Sequence, residues 1–392
     1  MTELIKLGLS LYPEQETLED IEQYLKTASQ YGFSTVFVSL FSVPGTKEEV
    51  MAHFIRFGAI AHKYGFEVSG DCNGEFLTKM GASPEDLSVF KEMGIDIIRM
   101  DGAYNDERDA RLINNKEGIK VEMSTAFQVP IELALKNGAD PKRMLTCHNF
   151  YPERYTAPSL EAINELNEYW KAKGIPVAIF ISSQEKGTHG PWPVSDGLPT
   201  VEEHRNIPVE AQLKHMIALK NVSEVRLGNA YASEEEFKAM KQVMDLAYIH
   251  VDLPEGVPAF VAGLLPHGDL VRIPFKLHLE RGVTDLEREL VFDYQTHADM
   301  GDCLNYMLRS RFTRMLPKSK GVAPRPCDRK VFRRGDVLVV NQNCLHYAGE
   351  VQIVLKDMEN DGQRNLVGTI DSTEIMILDH MGAGDLFTFT EA

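Results

Sequence analysis

Acidic side chains follow two of the short apolar runs in the first 230 residues of the chain. Asp71 comes after the run that begins near Phe66, and Asp101 comes after the run that begins near Ile95. Two carboxyl groups in one site can share the work of glycoside hydrolysis, one as the proton donor and the other as the base or nucleophile. Carboxylates also bind divalent metal ions. The pair therefore favours a glycosidase, with a metal-dependent sugar-phosphate isomerase or aldolase as the alternative.

Further polar side chains stand in or directly after other apolar runs. His148 and Asn149 follow one run, and Arg226 lies within the last. We expect these three side chains to contact a sugar substrate. Glu122 is a weaker candidate because it lies inside its run, where it could point outward into a layer of helices. The ligands of the metal-dependent alternative would be Asp71, Asp101, Glu122 and His148, an oxygen-rich set that suits Mg²⁺ or Mn²⁺.

The elements that must position these side chains are eight apolar runs separated by amphipathic segments. Most of the segments are long enough for a helix, and strands that alternate with helices predict right-handed βαβ units and a parallel sheet. Eight such units in roughly 250 residues match the size of a (β/α)8 TIM barrel, whose active sites lie at the C-terminal ends of the strands. The runs begin near Leu7, Val36, Phe66, Ile95, Ile119, Met144, Val177 and Val222.

Two of the segments have sequences typical of a helix N-terminus. Residues 83–86 offer Ser83 as a cap, followed by a first-turn proline and two acids ahead of Leu87. Ser233 is followed by three glutamates, which form a capping-box pattern. We therefore predict a helix that starts near Ser83 and another directly after the eighth run.

One connection between apolar runs is unusually long. Between Ser183 and Val222 lie 38 residues, rich in glycine and proline, with a predicted helix at about Val209–Leu219. Long loops after barrel strands usually carry function or cover the site. We expect a semi-rigid wall over the barrel mouth, with Trp192 presenting a flat face to a sugar ring. The alternative is that Trp192 merely packs the loop onto the barrel.

Beyond about Ala247 the pattern changes to short runs in which apolar and polar residues alternate. We predict one helix near Asp299 to Arg309 and otherwise mostly strands. The 392 residues therefore divide into a barrel, residues 1–246, and a β-rich domain, residues 247–392. The predicted strands of this domain are Ile273–Leu279, Val337–Val340, Val351–Leu355, Leu366–Ile370 and Leu386–Phe389.

Charge and composition exclude several classes of protein. The net charge of −17 argues against a nucleic-acid partner, because a phosphate backbone calls for a basic surface. No run approaches the ~20 apolar residues of a membrane helix, and no secretory signal precedes the first strand. The five cysteines are scattered and lack CxxC spacing, which indicates reduced thiols. We expect a cytoplasmic enzyme without metal or cofactor that acts on a small molecule, and a homo-oligomer is possible.

A basic segment interrupts this acidic chain. Ten lysines and arginines and a single acid fall between Arg309 and Arg334. A local excess of positive charge suggests a small anionic ligand, and guanidinium groups suit bidentate phosphate binding. We expect Arg309, Arg311 or Arg325 to reach the barrel mouth, unless the segment pairs with the barrel's own acidic surface. Phosphate candidates within the barrel are Lys186, Gly187, His189 and Arg205.

Four longer motifs become informative together. They are Arg-Met-Asp-Gly at 99–102, His-Asn-Phe-Tyr-Pro at 148–152, Gly-Leu-Pro-Thr-Val-Glu-Glu-His-Arg at 197–205 and Asn-Gln-Asn-Cys-Leu-His-Tyr-Ala-Gly-Glu at 341–350. Through these motifs the chain resembles the 6-phospho-N-acetylmuramidase family, long described as an outer-surface-protein family of Firmicutes. The resemblance covers essentially the whole chain.

The resemblance implies a barrel followed by a cyclophilin-like β domain. It also implies cytoplasmic hydrolysis of N-acetylmuramic acid 6-phosphate linked to N-acetylglucosamine, a disaccharide that arrives phosphorylated through a sugar phosphotransferase system during cell-wall recycling. Asp71 and Asp101 are the leading catalytic pair from the strand-end argument. Glu202 is a third candidate because it lies in the 197–205 motif, and Arg205 from the same motif would orient the sugar. The older family name keeps a non-enzymatic sugar-binding protein as an alternative.

Overall fold

The structure is a computed structural model that describes residues 4–40, 42–193, 196–253, 263, 265–294, 296–301 and 305–392. It divides into two compact units, one of Glu3–Lys241 and one that contains Gln242–Ala392. The first unit is a closed barrel, and the second is built around a mostly antiparallel sheet.

All eight apolar runs form strands of the barrel. Each strand pairs in parallel with its neighbour in sequence, and the first pairs with the last, so the sheet closes on itself. The predicted (β/α)8 barrel is therefore confirmed. Its strands are β1 (Lys6–Leu11), β2 (Phe33–Ser39), β3 (Glu67–Cys72), β4 (Ile97–Met100), β5 (Lys120–Ser124), β6 (Met144–Cys147), β7 (Val177–Ile181) and β8 (Glu224–Leu227).

The described part of residues 4–247 contains nine α-helices, which lie between the barrel strands and after the last of them. The helix predicted at Val209–Leu219 is confirmed with those bounds. The helices are α1 (Leu18–Ser29), α2 (Lys47–Lys63), α3 (Gly74–Lys79), α4 (Ser88–Glu92), α5 (Glu107–Ile113), α6 (Gln128–Lys136), α7 (Leu160–Lys171), α8 (Val209–Leu219) and α9 (Glu234–Ala247).

The two predicted helix starts have different outcomes. The capping box at Ser233 is confirmed: its hydroxyl accepts from the Glu236 amide, and the Glu236 carboxylate accepts from the Ser233 amide, both at 3.2 Å. The start near Ser83 is wrong, because α4 begins at Ser88. Ser83 and Asp86 instead exchange backbone hydrogen bonds across a tight turn, and Asp86 Oδ1 accepts from the Ser88 amide. The chain therefore makes a turn at 83–86, and the helix starts only after it, with Leu87 at the N-cap position and no side-chain cap.

The upper part of the barrel interior is packed with aromatic side chains. Phe37 of β2 and Phe180 of β7 contact each other edge to face, with their ring centres 5.7 Å apart. Phe150 lies 5.2 Å from Phe180 in the same cluster, which also includes Cys147. The Arg99 guanidinium lies 5.8 Å from the centre of the Phe37 ring, so this close-packed cluster contacts one of the polar side chains at the strand ends.

The second unit confirms a β-rich half, while its cyclophilin-like identity stays a prediction. Its main sheet has the order β11-β18-β10-β17-β14-β15-β12, with β10 and β18 parallel and the other pairs antiparallel. A short helix, Asp285–Arg288, runs into a π-helical turn, Glu289–Asp293. The strands are β9 (Tyr248–Val251), β10 (Gly268–Leu279), β11 (His297–Ala298), β12 (Met307–Ser310), β13 (Val331–Phe332), β14 (Asp336–Val340), β15 (Val351–Val354), β16 (Met358–Glu359), β17 (Arg364–Ile370) and β18 (Leu386–Glu391).

The helix predicted near Asp299 to Arg309 is wrong for the residues that the structure describes there. Asp299 forms an isolated antiparallel bridge with Ser310, and Met307–Ser310 is strand β12. Strand β12 pairs with β15, with Met307 opposite Val354 and Ser310 opposite Val351. This pairing satisfies backbone groups of β12 through hydrogen bonds that would be lost if the segment formed a helix. Residues 302–304 of this stretch lie outside the described part.

Candidate active site

Asp71 and Arg99 form an ion pair at the C-terminal end of the barrel. The two residues are register partners on β3 and β4, so both side chains point to the same face of the sheet. Arg99 Nη1 donates to Asp71 Oδ1 over 2.8 Å, with 8% and 13% of the two side chains exposed. The Nη2 atom of Arg99 donates to Asn149 Oδ1 over 2.5 Å. Arg99 thus gathers two of the predicted site residues, Asp71 and Asn149.

Burial makes Asp71 a carboxyl group with an unusual affinity for a proton. It raises the pKa of Asp71 from 3.8 to about 6, although Arg99 acts in the opposite direction. The charges of Asp101 and Glu122 raise this pKa further. Asp101 is exposed directly after β4, and its amide donates to the Cys72 carbonyl over 2.8 Å. Asp71 therefore keeps its proton to a higher pH than an ordinary aspartate, and a second carboxylate directly follows the neighbouring strand.

A buried ionic network supports Arg99 from below. Arg226 is fully buried and donates through both terminal nitrogens to the Glu122 carboxylate, at 2.9 and 2.6 Å, and through Nε to Glu224 at 2.6 Å. Glu122 also lies 3.5 Å from Arg99 Nε. The idea that Glu122 points outward among the helices is wrong, since its carboxylate faces the barrel interior. The structure places Arg226, a predicted substrate contact, in this interior network.

Gly8 of β1 makes room for the network. A Cβ atom built on Gly8 would lie closest to the Thr35 hydroxyl oxygen, then 2.8 Å from Arg226 Cγ and 3.0 Å from Glu224 Oε1. These distances are shorter than carbon and oxygen atoms tolerate, so a side chain here would displace Thr35 and the stem of Arg226. The sequence therefore keeps β1 free of a side chain at the point where Arg226 crosses the barrel.

His148 is held in a buried hydrogen-bonded setting formed by Thr125 and Asn167. Its Nδ1 is 3.0 Å from the Thr125 hydroxyl and its Nε2 is 2.7 Å from Asn167 Oδ1. Burial lowers the pKa of His148 to about 4, so the ring is neutral at physiological pH. Because both ring nitrogens are engaged, the side chain anchors the backbone that carries Asn149.

The four ligands of the metal-dependent alternative are not brought together. Glu122 is bound to Arg226, His148 to Thr125 and Asn167, and Asp71 to Arg99. Among the described residues, no group of three or more His, Cys, Asp or Glu side chains is arranged to hold a metal ion.

Glu202 and Arg205 form a clamp within the long loop after β7. Arg205 Nε and Nη2 donate to the two oxygens of Glu202 at 2.7 and 2.8 Å. The same guanidinium donates to the carbonyls of Asp196 and Tyr151 at 2.9 and 3.0 Å. Hydrogen bonding from Arg205 lowers the pKa of Glu202 to about 2, so this carboxylate is ionised. The clamp ties together the loops after β6 and β7, as expected of a semi-rigid wall.

Trp192 projects from that wall. Its residue exposure is 52%, which makes it one of the large apolar side chains that remain in contact with solvent. The exposed part of an indole ring can stack on the apolar face of a sugar. Contact of Trp192 with a sugar ring stays a prediction, as does the alternative in which it packs the loop onto the barrel.

The predicted arginines of the β-rich unit have partners within that unit. Arg309 donates through Nε and Nη2 to the buried Glu350 carboxylate at 2.6 and 2.9 Å. Arg325 lies 3.5 Å from Glu287 and also donates to the Leu366 carbonyl. Arg311 follows β12 directly and is half-buried. The basic segment is thus compensated to a large extent by acids near it in the fold, and contact of these arginines with a phosphosugar stays a prediction.

Two features of the barrel mouth were not found from the sequence. One is the pairing of Arg99 with Asp71 on the adjacent strand: the sequence presents Arg99 only as part of the 99–102 motif. Glu16, after β1, lies 2.9 Å from His189 Nε2, and burial raises the pKa of Glu16 to about 8. No local signal separates Glu16 from Glu14 in the sequence, because its burial depends on the distant loop that carries His189.

Comparison with known proteins places the whole chain in one family. Residues 7–242 match the N-terminal and residues 273–390 the C-terminal model of 6-phospho-N-acetylmuramidase. An uncharacterized B. cereus protein of known crystal structure is 32% identical, with a TM-score of 0.82, and the match covers 99% of this chain and all of that one. A conserved Enterococcus faecalis protein of unknown function is 22% identical and has the same fold, with a TM-score of 0.69 over 98% of this chain and 96% of that one.

None of the curated proteins compared with the chain matches it. Within the described residues, no helix combines the length and the apolar character needed to cross a bilayer. The two family models nonetheless cover both units almost completely. The chain therefore belongs to the 6-phospho-N-acetylmuramidase family.

Proposed function

We propose that the chain hydrolyses the glycosidic bond between N-acetylmuramic acid 6-phosphate and N-acetylglucosamine. Membership of the 6-phospho-N-acetylmuramidase family supports the reaction class and the substrate. The observation that carries the proposal is Asp71, a buried carboxyl at the strand ends whose pKa of about 6 suits a proton donor. In keeping with the family resemblance, the reaction takes place in the cytoplasm on a small phosphosugar.

Asp71 is the general acid in this proposal. It donates its proton to the bridging oxygen as the bond from that oxygen to C1 of the muramic acid breaks, which releases N-acetylglucosamine. Water supplies the hydroxyl that ends on C1, and the second carboxylate, Asp101, takes the proton from that water or first attacks C1 itself. Arg99 orients the Asp71 carboxyl. Asp71 can still act as a proton donor, because burial raises its pKa by more than Arg99 lowers it.

The remaining site residues bind or position the sugar. Asn149, exposed beside Arg99, offers its amide nitrogen to a sugar hydroxyl, since its oxygen already accepts from Arg99. Trp192 stacks on a ring face. His148 and the Glu202–Arg205 clamp do not contact the sugar in this proposal. They fix the backbone segments that carry Asn149 and Trp192.

The test is an incubation of the purified chain with the 6-phosphorylated disaccharide and, in parallel, with its unphosphorylated form, in ¹⁸O-labelled water. Product masses should reveal N-acetylglucosamine and N-acetylmuramic acid 6-phosphate, with ¹⁸O on the phosphorylated sugar, and much slower cleavage of the unphosphorylated substrate. Intact disaccharide after prolonged incubation would contradict the proposal. An unaffected rate in the presence of a chelator is expected, and a loss of rate would favour a metal-dependent enzyme.

A further inference from the structure

A cleft of about 360 Å³ lies on the rim of the barrel at the loops after β7 and β8. Lys186, Thr188 and Asn229 line it together with Arg154 of the preceding loop. In (β/α)8 enzymes the loops after the seventh and eighth strands often hold the phosphate of the substrate. The position alone makes the cleft a candidate, and its chemistry decides what it can bind.

The turn at 185–188 presents hydrogen-bond donors to the cleft. The amides of Lys186 and Gly187 have no acceptor among the residues that the structure describes, and Gly187 has a φ of +95°. A Cβ atom on Gly187 would meet nothing within 4 Å, so the space above the turn is open. Successive backbone amides in such a turn form a concave site for an anion. Lys186 stands beside them, exposed and without a carboxylate partner in the described chain.

Both ends of the turn are fixed before any ligand arrives. On one side the Ser183 amide donates to Asn229 Oδ1 over 2.8 Å, and the Ser183 hydroxyl donates to Glu236 over 2.5 Å. On the other side His189 and Ala230 exchange backbone hydrogen bonds of 2.8 and 3.4 Å. The Asn229 amide group also donates to the Thr188 hydroxyl over 2.8 Å. A turn held in this way loses little conformational entropy when it binds a ligand.

The other charges around the cleft are mostly spent on each other. Arg154 Nε donates to Asp196 over 2.9 Å, and Arg205 is bound to Glu202. Glu185, on the same turn as Lys186, is exposed and has no cationic partner among the described residues. Lys186 therefore favours binding of an anion in the cleft, and Glu185 disfavours it. Removing the charge of one residue should change the affinity for the anion in the opposite direction to removing the charge of the other.

We propose that this cleft is the subsite for the 6-phosphate of the substrate, with the Lys186 ammonium and the Lys186 and Gly187 amides as its donors. The inference rests on the proposed function, because that function supplies a phosphate to be held. It moves phosphate recognition from Arg309 and Arg325, which have carboxylate partners, to a turn whose amides have no acceptor among the residues that the structure describes. Selectivity for the phosphorylated substrate then arises within the barrel itself.

The test measures binding of N-acetylmuramic acid 6-phosphate, N-acetylmuramic acid and inorganic phosphate to the full chain by calorimetry. Lys186→Gln should weaken binding of the two phosphate compounds roughly three- to ten-fold, and Glu185→Gln should strengthen it by a similar factor. Neither change should alter binding of the unphosphorylated sugar. Lys142→Gln is the matched control, because Lys142 is equally exposed but precedes β6, at the opposite end of the barrel.

The outcomes separate the subsite from the proposed function. Opposite shifts for the two variants, smaller at high salt because screening weakens both charges, support the subsite. If the wild type hydrolyses the phosphorylated disaccharide but all three variants bind phosphate like the wild type, the subsite is wrong and the function stands. If phosphate binding responds as expected while no disaccharide is cleaved, the anion site stands and the function falls. Loss of affinity in both cleft variants would also overturn the subsite, because it would indicate a damaged loop.

Discussion

Replacing Asp71 by asparagine should stabilise the barrel at neutral pH while it removes the proton donor. Asparagine has nearly the same shape as a protonated aspartate, and its oxygen can still accept from Arg99 Nη1. The wild-type carboxyl must ionise as the pH rises, and it does so at about 6 in the folded barrel instead of 3.8. At about 1.4 kcal/mol for each pH unit between these two values, ionisation in the folded state costs up to about 3 kcal/mol.

The sign of the pH dependence follows from the direction of this shift. Because the pKa of Asp71 is raised on folding, its favourable contribution is fully present below pH 3.8 and is lost as the pH rises through 6. The asparagine variant has no such loss. Its stability should therefore exceed that of the wild type by about 3 kcal/mol at pH 8 and by only about 1 kcal/mol at pH 4.5, and the two should be equal well below pH 3.8.

Tryptophan fluorescence during urea unfolding can measure this difference in the barrel unit alone. Both tryptophans of the chain, Trp170 and Trp192, lie in that unit, and Trp170 is fully buried. The wild type and Asp71→Asn should be compared at pH 4.5 and pH 8. Asp101→Asn is the control, because Asp101 is exposed, and its effect should stay within about 0.5 kcal/mol. A destabilised Asp71→Asn variant, or a difference that does not change with pH, would refute the assignment of Asp71 as a buried acid with a raised pKa.

Three other substitutions test the supporting structure. Arg226→Met should destabilise the barrel by about 3 to 5 kcal/mol in the same urea assay, since it removes the buried cation that Glu122 and Glu224 share and leaves Glu122 only the longer contact with Arg99. Arg111→Met, which breaks exposed pairs, should cost less than about 1 kcal/mol. Gly8→Ala should cost about 1 to 3 kcal/mol because the new methyl group meets the Thr35 hydroxyl and the stem of Arg226, and a neutral effect would show that these side chains can move aside. Trp192→Ala should raise KM for the disaccharide several-fold with little change in kcat, whereas an unchanged KM would mean that the indole does not touch the sugar.

Local patterns were enough to predict the barrel because its determinants are local. Each apolar run became a strand, and the capping box at Ser233 opened α9, since both depend on residues a few positions apart. The β-rich unit was predicted less well. The stretch from Asp299 to Arg309 resembles a helix, yet pairing of Met307–Ser310 with β15, more than forty residues later, decides its structure. Interactions between distant segments override weak helix propensity in this case.

The candidate site shows the same division. The position of Asp71 at a strand end could be read from the sequence. Its pairing with Arg99 could not, because Arg99 lies on the adjacent strand and only the folded sheet defines the register between the two strands. Arg226 looked like a ligand contact because it is a cation near a strand end. Its place in the interior follows from Glu122 and Glu224, which the barrel brings around it from β5 and β8. A charge in a strand can therefore be assigned to the core or to the site only when its neighbours across the sheet are known.

The most direct test of Asp71 as the general acid is the rate at which the wild type and Asp71→Asn cleave the 6-phosphorylated disaccharide at pH 6 and pH 8. We expect the variant to lose about 10²- to 10⁴-fold in kcat while it still binds the substrate. The wild-type rate should fall between pH 6 and pH 8 as Asp71 loses its proton. A variant that keeps kcat within ten-fold of the wild type, or that shows the same pH profile, would contradict the central role given to Asp71.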